Sequence, residues 1–156
     1  MARFSLKTKF PKSKLFQPLG ADIAFKAAVD SYMNDIQVQG INIAQAETPI
    51  GATGDLANGI EFKRISFLNA ELEWAAPHAR PVADGTSPHF APLRRLAEWT
   101  AVKWGDPGAG KILQEVIATK GTRANRFPTR TKKRVLDQAR RIWPEKIRLF
   151  VRNLLS

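Results

Sequence analysis

The sequence predicts an α+β fold: a small antiparallel sheet built on a hairpin, packed with a long N-terminal helix and several C-terminal helices. Three observations carry this expectation. Apolar residues recur at helical spacing over 20–47. Two short segments, near 60–63 and 71–76, alternate apolar and polar residues as strands do. From Pro92 onward the helical period returns in separate blocks. The order helix, strand, strand, then helices contains no repeated strand–helix–strand unit, which argues against a parallel sheet.

In the first helix Phe25, Val29, Tyr32, Ile36 and Ile43 form the apolar face, with Ala24 and Ala28 beside them. Asp22 suits the positive end of the helix dipole and lies one turn from Lys26. Gly40 is a candidate break or kink. The stretch TPIGATGDLANG at 48–59 is a turn-rich loop. Ile60 and Phe62 then alternate with Glu61 and Lys63, and Leu72, Trp74 and Ala76 with Glu71, Glu73 and Ala75. A hairpin turning at Asn69-Ala70 is the expected link, with Glu61, Glu71 and Glu73 on its solvent face. Pro77 and Pro81 end the second strand or confine it to an edge. A second loop covers 83–91.

Pro92 suits the first position of a helix whose apolar face is Leu93, Leu96, Ala97, Ala101 and Trp104. Gly105 stops it, and Asp106-Pro107 caps and opens the next, which ends at Gly121. The last helical region carries Val135, Leu136, Ala139 and Ile142 as one stripe. Pro144 ends or kinks it, and Ile147, Phe150, Val151 and Leu154 form a second stripe.

The chain of 156 residues suits one domain with arms. We divide it into a basic N-terminal arm (1–17), an α+β domain (18–128) and basic C-terminal helices (129–156). Lys7, Lys9, Lys12 and Lys14 are spaced along the arm, interrupted by Pro11, with Phe4, Leu6, Phe10, Leu15 and Phe16 as apolar anchors. Such a segment is expected to order on a partner, and its removal to leave the monomer folded.

Charge follows the same division. The net charge is +11, with +5 in residues 1–14, −4 in 15–119 and +10 in 120–156. Basic ends on a mildly acidic body suit contact with nucleic acid or an acidic protein surface, or serve solubility alone. There is no cysteine, so disulfides and thiolate metal sites are excluded. No run reaches the roughly 18–20 apolar residues of a membrane span. No apolar signal core follows the basic start. A soluble protein without membrane contact, assembled in the cytoplasm, is expected.

Motifs for chemistry are weak. Gly105 to Lys111 matches the spacing of a phosphate-cradling loop. However, Ile112 stands where Ser or Thr must hold magnesium, a helix precedes the loop, and a proline removes one amide. An interhelix turn is the better reading. His78, His89 and Asp84 fit no common metal spacing. Ser87 lacks the glycines of a nucleophile elbow. The carboxylates are scattered singly, so no acid/base couple stands out. No catalytic residue, cofactor or metal is expected. The candidate contacts with DNA or a partner are the arm lysines with Arg130, Lys133, Arg134, Arg140 and Arg141. A basic amphipathic helix suits a phosphate backbone, an acidic protein groove or lipid headgroups. No sequence-reading motif is present. Trp99 lies off the Leu93–Trp104 stripe and is a candidate subunit contact or a partly exposed boundary residue.

Four segments together resemble the tail-component family of long-tailed bacteriophages, over about residues 20–130. Thr48-Pro49 with Thr53-Gly54 and Leu56 matches its step after the first helix. Gly85-Thr86-Ser87-Pro88-His89 with Pro92 matches its proline-rich loop. Leu96, Trp99, Lys103 and Gly105 match its next helix, and Gly121-Thr122-Arg123-Ala124 with Phe127 the step after that. The resemblance implies a non-catalytic virion protein of the neck, a tail-completion or head–tail joining subunit. It implies a homo-oligomeric ring, six-fold or alternatively twelve-fold, that meets other neck proteins and passes genomic DNA through its lumen. The loops at 51–59 and 83–91 would then be docking loops. The competing reading is a stand-alone basic nucleic-acid-binding protein.

Overall fold

The computed structural model describes the backbone of residues 2–7 and 19–155 and the side chains of 23–152. Helix α1 (Leu19–Glu47) runs unbroken for 29 residues. Val29, Tyr32, Met33, Ile36 and Ala44 are buried along one face, at the spacing of the apolar period. Gly40 does not break it. That residue is buried beneath Leu72 and Val135, whose side chains lie 3.6 and 3.9 Å from where a Cβ would stand. Tertiary packing on that face outweighs the roughly 1 kcal/mol propensity deficit of one glycine.

Helix α6 (Phe127–Leu155) lies antiparallel against α1, its end beside the start of α1 and its start beside the end of α1. Phe25 meets Phe150 (ring centroids 5.9 Å) and Tyr32 meets Trp143 (5.1 Å). Lys146 donates to Asp35 at 2.7 Å, Gln138 to Gln39 at 2.5 Å, and Arg130 to Glu47 at 2.8 Å. Pro144 neither ends nor divides the helix: it lies inside a single 29-residue element. Its ring is exposed, and the missing amide falls on the side away from α1, where water can serve the orphaned carbonyl.

The sheet has three antiparallel strands in the order β1 (Ala2–Lys7), β3 (Asn69–Trp74), β2 (Ile60–Ser66). Leu72 is opposite Phe4 on one side and Phe62 on the other. The start of the expected arm is thus a strand, not a free extension, and Lys7 is its last residue. Lys9, Lys12 and Lys14 lie outside the described residues. The hairpin turns at Phe67-Leu68, two residues before the expected site, after a register irregularity between Arg64 and Ser66. β3 is the central strand. Pro77 and Pro81 do not confine it to an edge, because it ends at Trp74 and Pro81 enters a short helix, α3 (Ala79–Asp84).

Ala70, Leu72 and Trp74 are buried toward α1 and α6. Glu73, expected in solvent with Glu61 and Glu71, is instead 1% exposed. It pairs with Lys63 at 3.0 Å, which also reaches Glu61 at 3.0 Å. Glu73 first, and Glu61 second, hold the Lys63 ammonium above its ordinary pKa. The sheet therefore has a packed position on the face that alternation assigns to water.

A one-turn helix, α2 (Asp55–Asn58), buries Leu56 beside Trp74. Helices α4 (Leu93–Trp104) and α5 (Ala109–Lys120) form a hairpin that packs mainly on itself. Asp106 accepts from the Gly108 amide at 2.7 Å, so α5 opens two residues later than Pro107. Gly110 lies buried in its first turn, against the α4 backbone at Ala97, which makes the Gly105–Lys111 stretch an interhelix turn.

The pairing of β1 with the central strand reverses the expectation for the N-terminus. Deleting residues 1–7 strips one edge of β3 and should lower the thermal midpoint of the monomer by several degrees; a midpoint equal to the full chain's would contradict this.

Candidate partner-contact surfaces

The loop residues singled out by the sequence converge on one joint. Thr86 and Thr122 form an isolated antiparallel bridge: the Thr86 amide donates to the Thr122 carbonyl at 3.1 Å, and the Thr122 amide to the Thr86 carbonyl at 3.0 Å. Their hydroxyls lie 3.0 Å apart. On one side of the bridge the His89 amide donates to the Ile117 carbonyl at 3.3 Å, and Gln114 to the Ala91 carbonyl at 2.6 Å. On the other, the amides of Asn125 and Arg126 donate to the carbonyls of Val82 and Ala83 at 3.1 and 3.0 Å. Segments 82–91 and 114–126 are thus stitched along their length.

Gly85 and Gly121 flank the bridge with φ of 75° and 69°. A Cβ on Gly85 would stand 2.5 Å from the Thr122 carbonyl oxygen, and one on Gly121 2.0 Å from that of Thr86. Only glycine meets both the left-handed backbone and the close approach. Pro88 and His89 are exposed, and His89 Nδ1 lies 3.0 Å from the Ser87 carbonyl. Thr53 and Gly54 belong to a different place, the entry to α2. There Thr53 Oγ1 accepts from the Asp55 amide at 3.4 Å, and the Gly54 carbonyl accepts from Ala57 and Asn58. His78 is exposed at the start of α3, and Asp84 pairs with Arg80 at 3.5 Å. Among the described residues no three His, Cys, Asp or Glu groups gather as metal ligands.

The candidate basic contacts divide in two. Arg130 donates to Glu47 Oε2 at 2.8 Å and to Asn125 Oδ1 at 2.8 Å, and Arg134 donates to Glu47 Oε1 at 2.5 Å. Both guanidiniums are engaged by the fold, with 49% and 57% of the side chain still exposed. Arg130 and Arg134 hold the Glu47 carboxyl below its usual pKa. Lys133 and Arg141 are exposed and make no ion pair among the described residues, and Arg140 reaches only Asp137 at 3.5 Å. An open polar groove of about 480 Å³ lies between α1 and α6, lined by Gln39, Asn42, Ile43, Arg134, Asp137, Gln138 and Arg141.

Trp99 is half-buried, edge-on to Trp104 at 5.2 Å, and Trp104 is 58% exposed. The hairpin also exposes Val102 (65%) and Ile112 (67%), and the loop before it exposes Phe90 (82%). The sequence reading noticed Trp99 but missed this wider apolar exposure. Its signal was available: Ile112, Leu113, Val116 and Ile117 give α5 an apolar face about 140° wide, more than the single helix α4 covers. Exposure of this kind marks interaction surfaces.

No family model, no curated protein and no solved structure matches this chain.

Replacing Gly85 or Gly121 by alanine should destabilise the protein by about 2–3 kcal/mol in urea titration, since strain and a backbone clash combine; a loss below about 0.5 kcal/mol would show that the joint gives way without consequence. Glu47 offers a pH test. A carboxyl with a depressed folded pKa contributes stability above its unfolded pKa, lost as pH falls through the folded value. Glu47→Gln should therefore lower the urea midpoint at pH 7 and make little difference near pH 2. An equal loss at both values would assign the effect to packing instead of charge.

Proposed function

We propose that this chain is a ring-forming structural subunit of the neck of a long-tailed bacteriophage, which completes the tail and joins it to the head. The observation that carries the reading is the ordered set of motifs over about residues 20–130, now tied to a physical role. The residues that carry the resemblance, Gly85-Thr86 and Gly121-Thr122, form one joint in which glycine is obligatory. Part of the likeness therefore falls on residues that set geometry, while Pro88, His89 and Lys103 are exposed. Thr48, in the first motif, accepts the buried Trp74 indole N–H at 2.9 Å, another position that fixes the fold.

Two features suit such a subunit. The α4–α5 hairpin carries an apolar surface around Trp99 and Trp104 that a neighbouring copy or another neck protein could cover. A head-to-tail contact between copies closes into a ring where the rotation permits, six-fold or twelve-fold in this setting. The charge excess at the chain's end suits a lumen through which duplex DNA moves without being held tightly. The subunit would act in the virion, at the head–tail junction, without catalysis or cofactor. Among the described residues no helix is long and apolar enough to cross a membrane.

Electron microscopy of the purified protein, alone and with candidate neck partners, tests this. Rings of uniform diameter, or antibody-labelled density at the head–tail junction of particles, are expected. A protein that stays monomeric with every partner and is absent from virions would overturn the reading.

A further inference from the structure

We infer that one flank of α6, from Arg141 to Arg152, together with the groove at its head, is a binding site for the phosphodiester backbone of duplex DNA. This deepens the neck reading by naming the surface that would meet the genome, and it stands on four observations.

The first is placement. Arginines occupy positions 130, 134, 141, 148 and 152. Steps of four, seven, seven and four residues put all of them on one flank about 40° wide, over about 33 Å of helix. Lys132, Lys133 and Lys146 lie off that flank. Arg140 also lies off it, beside Lys133, but a face kept basic only for solubility has no reason to gather five of the six arginines of α6 on one flank. Planar guanidinium groups grip phosphate oxygens in pairs, whereas ammonium groups act as point charges.

The second is availability. Glu47 engages Arg130 and Arg134, so that end of the line belongs to the fold. Arg141, Arg148 and Arg152 are exposed and make no ion pair among the described residues. Two carboxylates border the line: Asp137, paired with Arg140 at 3.5 Å, and Glu145. They reduce the positive excess without removing it, since α6 holds nine basic residues and two acidic ones.

The third is shape. The groove between α1 and α6 opens beside Arg141 and presents the side-chain amide of Asn42, next to Gln138, which donates to Gln39 at 2.5 Å, and to Asp137. Amide donors beside a guanidinium suit a phosphate oxygen.

The fourth decides between polyanions. An amphipathic helix enters a lipid surface by its apolar face. Most of that face of α6 is taken: Val135, Ala139, Ile142 and Phe150 are buried in the fold, which leaves Leu149 and Val151, 43% and 45% exposed, too few to seat the helix in a bilayer. Arg141 to Arg152 spans about 17 Å, along which a duplex presents about ten charges at one per 1.7 Å.

The test uses the full chain and a fluorescein-labelled 30-base-pair duplex of arbitrary sequence, followed by anisotropy at several salt concentrations. The variant R141Q/R148Q/R152Q should weaken binding more than about tenfold near 100 mM salt. It should also flatten the slope of log K against log salt by about 2.7, the counterion release of three phosphate contacts. A control with the same charge change on the hairpin, K103Q/K111Q/K120Q, should leave the slope within about 0.5 of the parent. Thermal melts of both variants should match the parent, because none of these six side chains is buried. Equal losses in both variants would show diffuse charge and overturn the site, as would a parent protein that does not bind the duplex. Preferential binding to phosphatidylserine vesicles over the duplex would also overturn it. Ring formation is read separately: a flank variant that still forms rings separates the two readings, and DNA binding through this flank by a chain that never forms rings leaves the site standing while the neck reading fails.

Discussion

A buried indole has one polar atom that must find an acceptor, and this fold is arranged around that requirement. Trp74 is fully buried, and its N–H donates to the Thr48 hydroxyl at 2.9 Å. That hydroxyl donates onward to the Ala44 carbonyl at 2.6 Å, so it serves as acceptor and donor at once, which only a hydroxyl-bearing side chain could do here. The ring meets Phe127 edge-on, with centroids 5.1 Å apart. The end of α1, the end of the central strand and the start of α6 therefore meet at one side chain. Trp74 also lies opposite Ala2 and Ile60, so the registers of both outer strands meet at the same residue.

The joint at Thr86 and Thr122 continues from that point. Asn125 and Arg126 bond back to Val82 and Ala83 just before Phe127 enters the core, and Arg126 adopts a positive φ of 55° to make the turn. Arg130 then ties the Asn125 side chain to Glu47 at the end of α1. A continuous line of hydrogen bonds thus runs from the base of the α4–α5 hairpin to the Trp74 cluster. The hairpin packs on itself and exposes apolar residues, but its base is fixed. Such a projection presents a surface at a set angle, so a partner need not order it on binding.

Much of this was legible in the sequence, and the failures have physical causes. The boundaries of α1 and the existence of the paired strands follow from period, since burial of one face imposes it, while the strand ends shift with a turn that alternation does not locate. The ends of α4 and α5 follow from Gly105 and Gly121, which adopt left-handed φ as expected. β1 was missed although Phe4 and Leu6 alternate with Arg3, Ser5 and Lys7 in its sequence: the lysines and Pro11 that follow suggested an arm, and a six-residue strand has too short a pattern to outweigh them. Glu73 was assigned to water because alternation reports only which face a residue takes, not whether something covers that face. Pro144 suggests an end or a kink because sequence does not reveal whether its carbonyl partner faces solvent. The roles of Arg130 and Arg134 depend on a glutamate more than 80 residues away, beyond the reach of any local pattern.

Long-range pairing also explains where the positive charge remains. Exposed ion pairs contribute about 0–1 kcal/mol each, too little for those between α1 and α6 to be the main source of stability. Their effect is on register. Two long apolar stripes can slide by a turn at modest cost, but Glu47 with Arg130, Gln39 with Gln138 and Asp35 with Lys146 would all be broken by such a slip. The acids of α1 therefore select which bases of α6 serve the fold, and Arg141, Arg148 and Arg152 are not among them. Leaving three like charges without an ion pair on one flank, with only Asp137 and Glu145 beside them, opposes folding slightly through their mutual repulsion. The spacing of Asp137 and Glu145 to Arg141 and Arg148, and the place of Arg152 in the last turn, offset part of that repulsion, but they do not require all three on one flank, and a partner outside the chain accounts for the grouping.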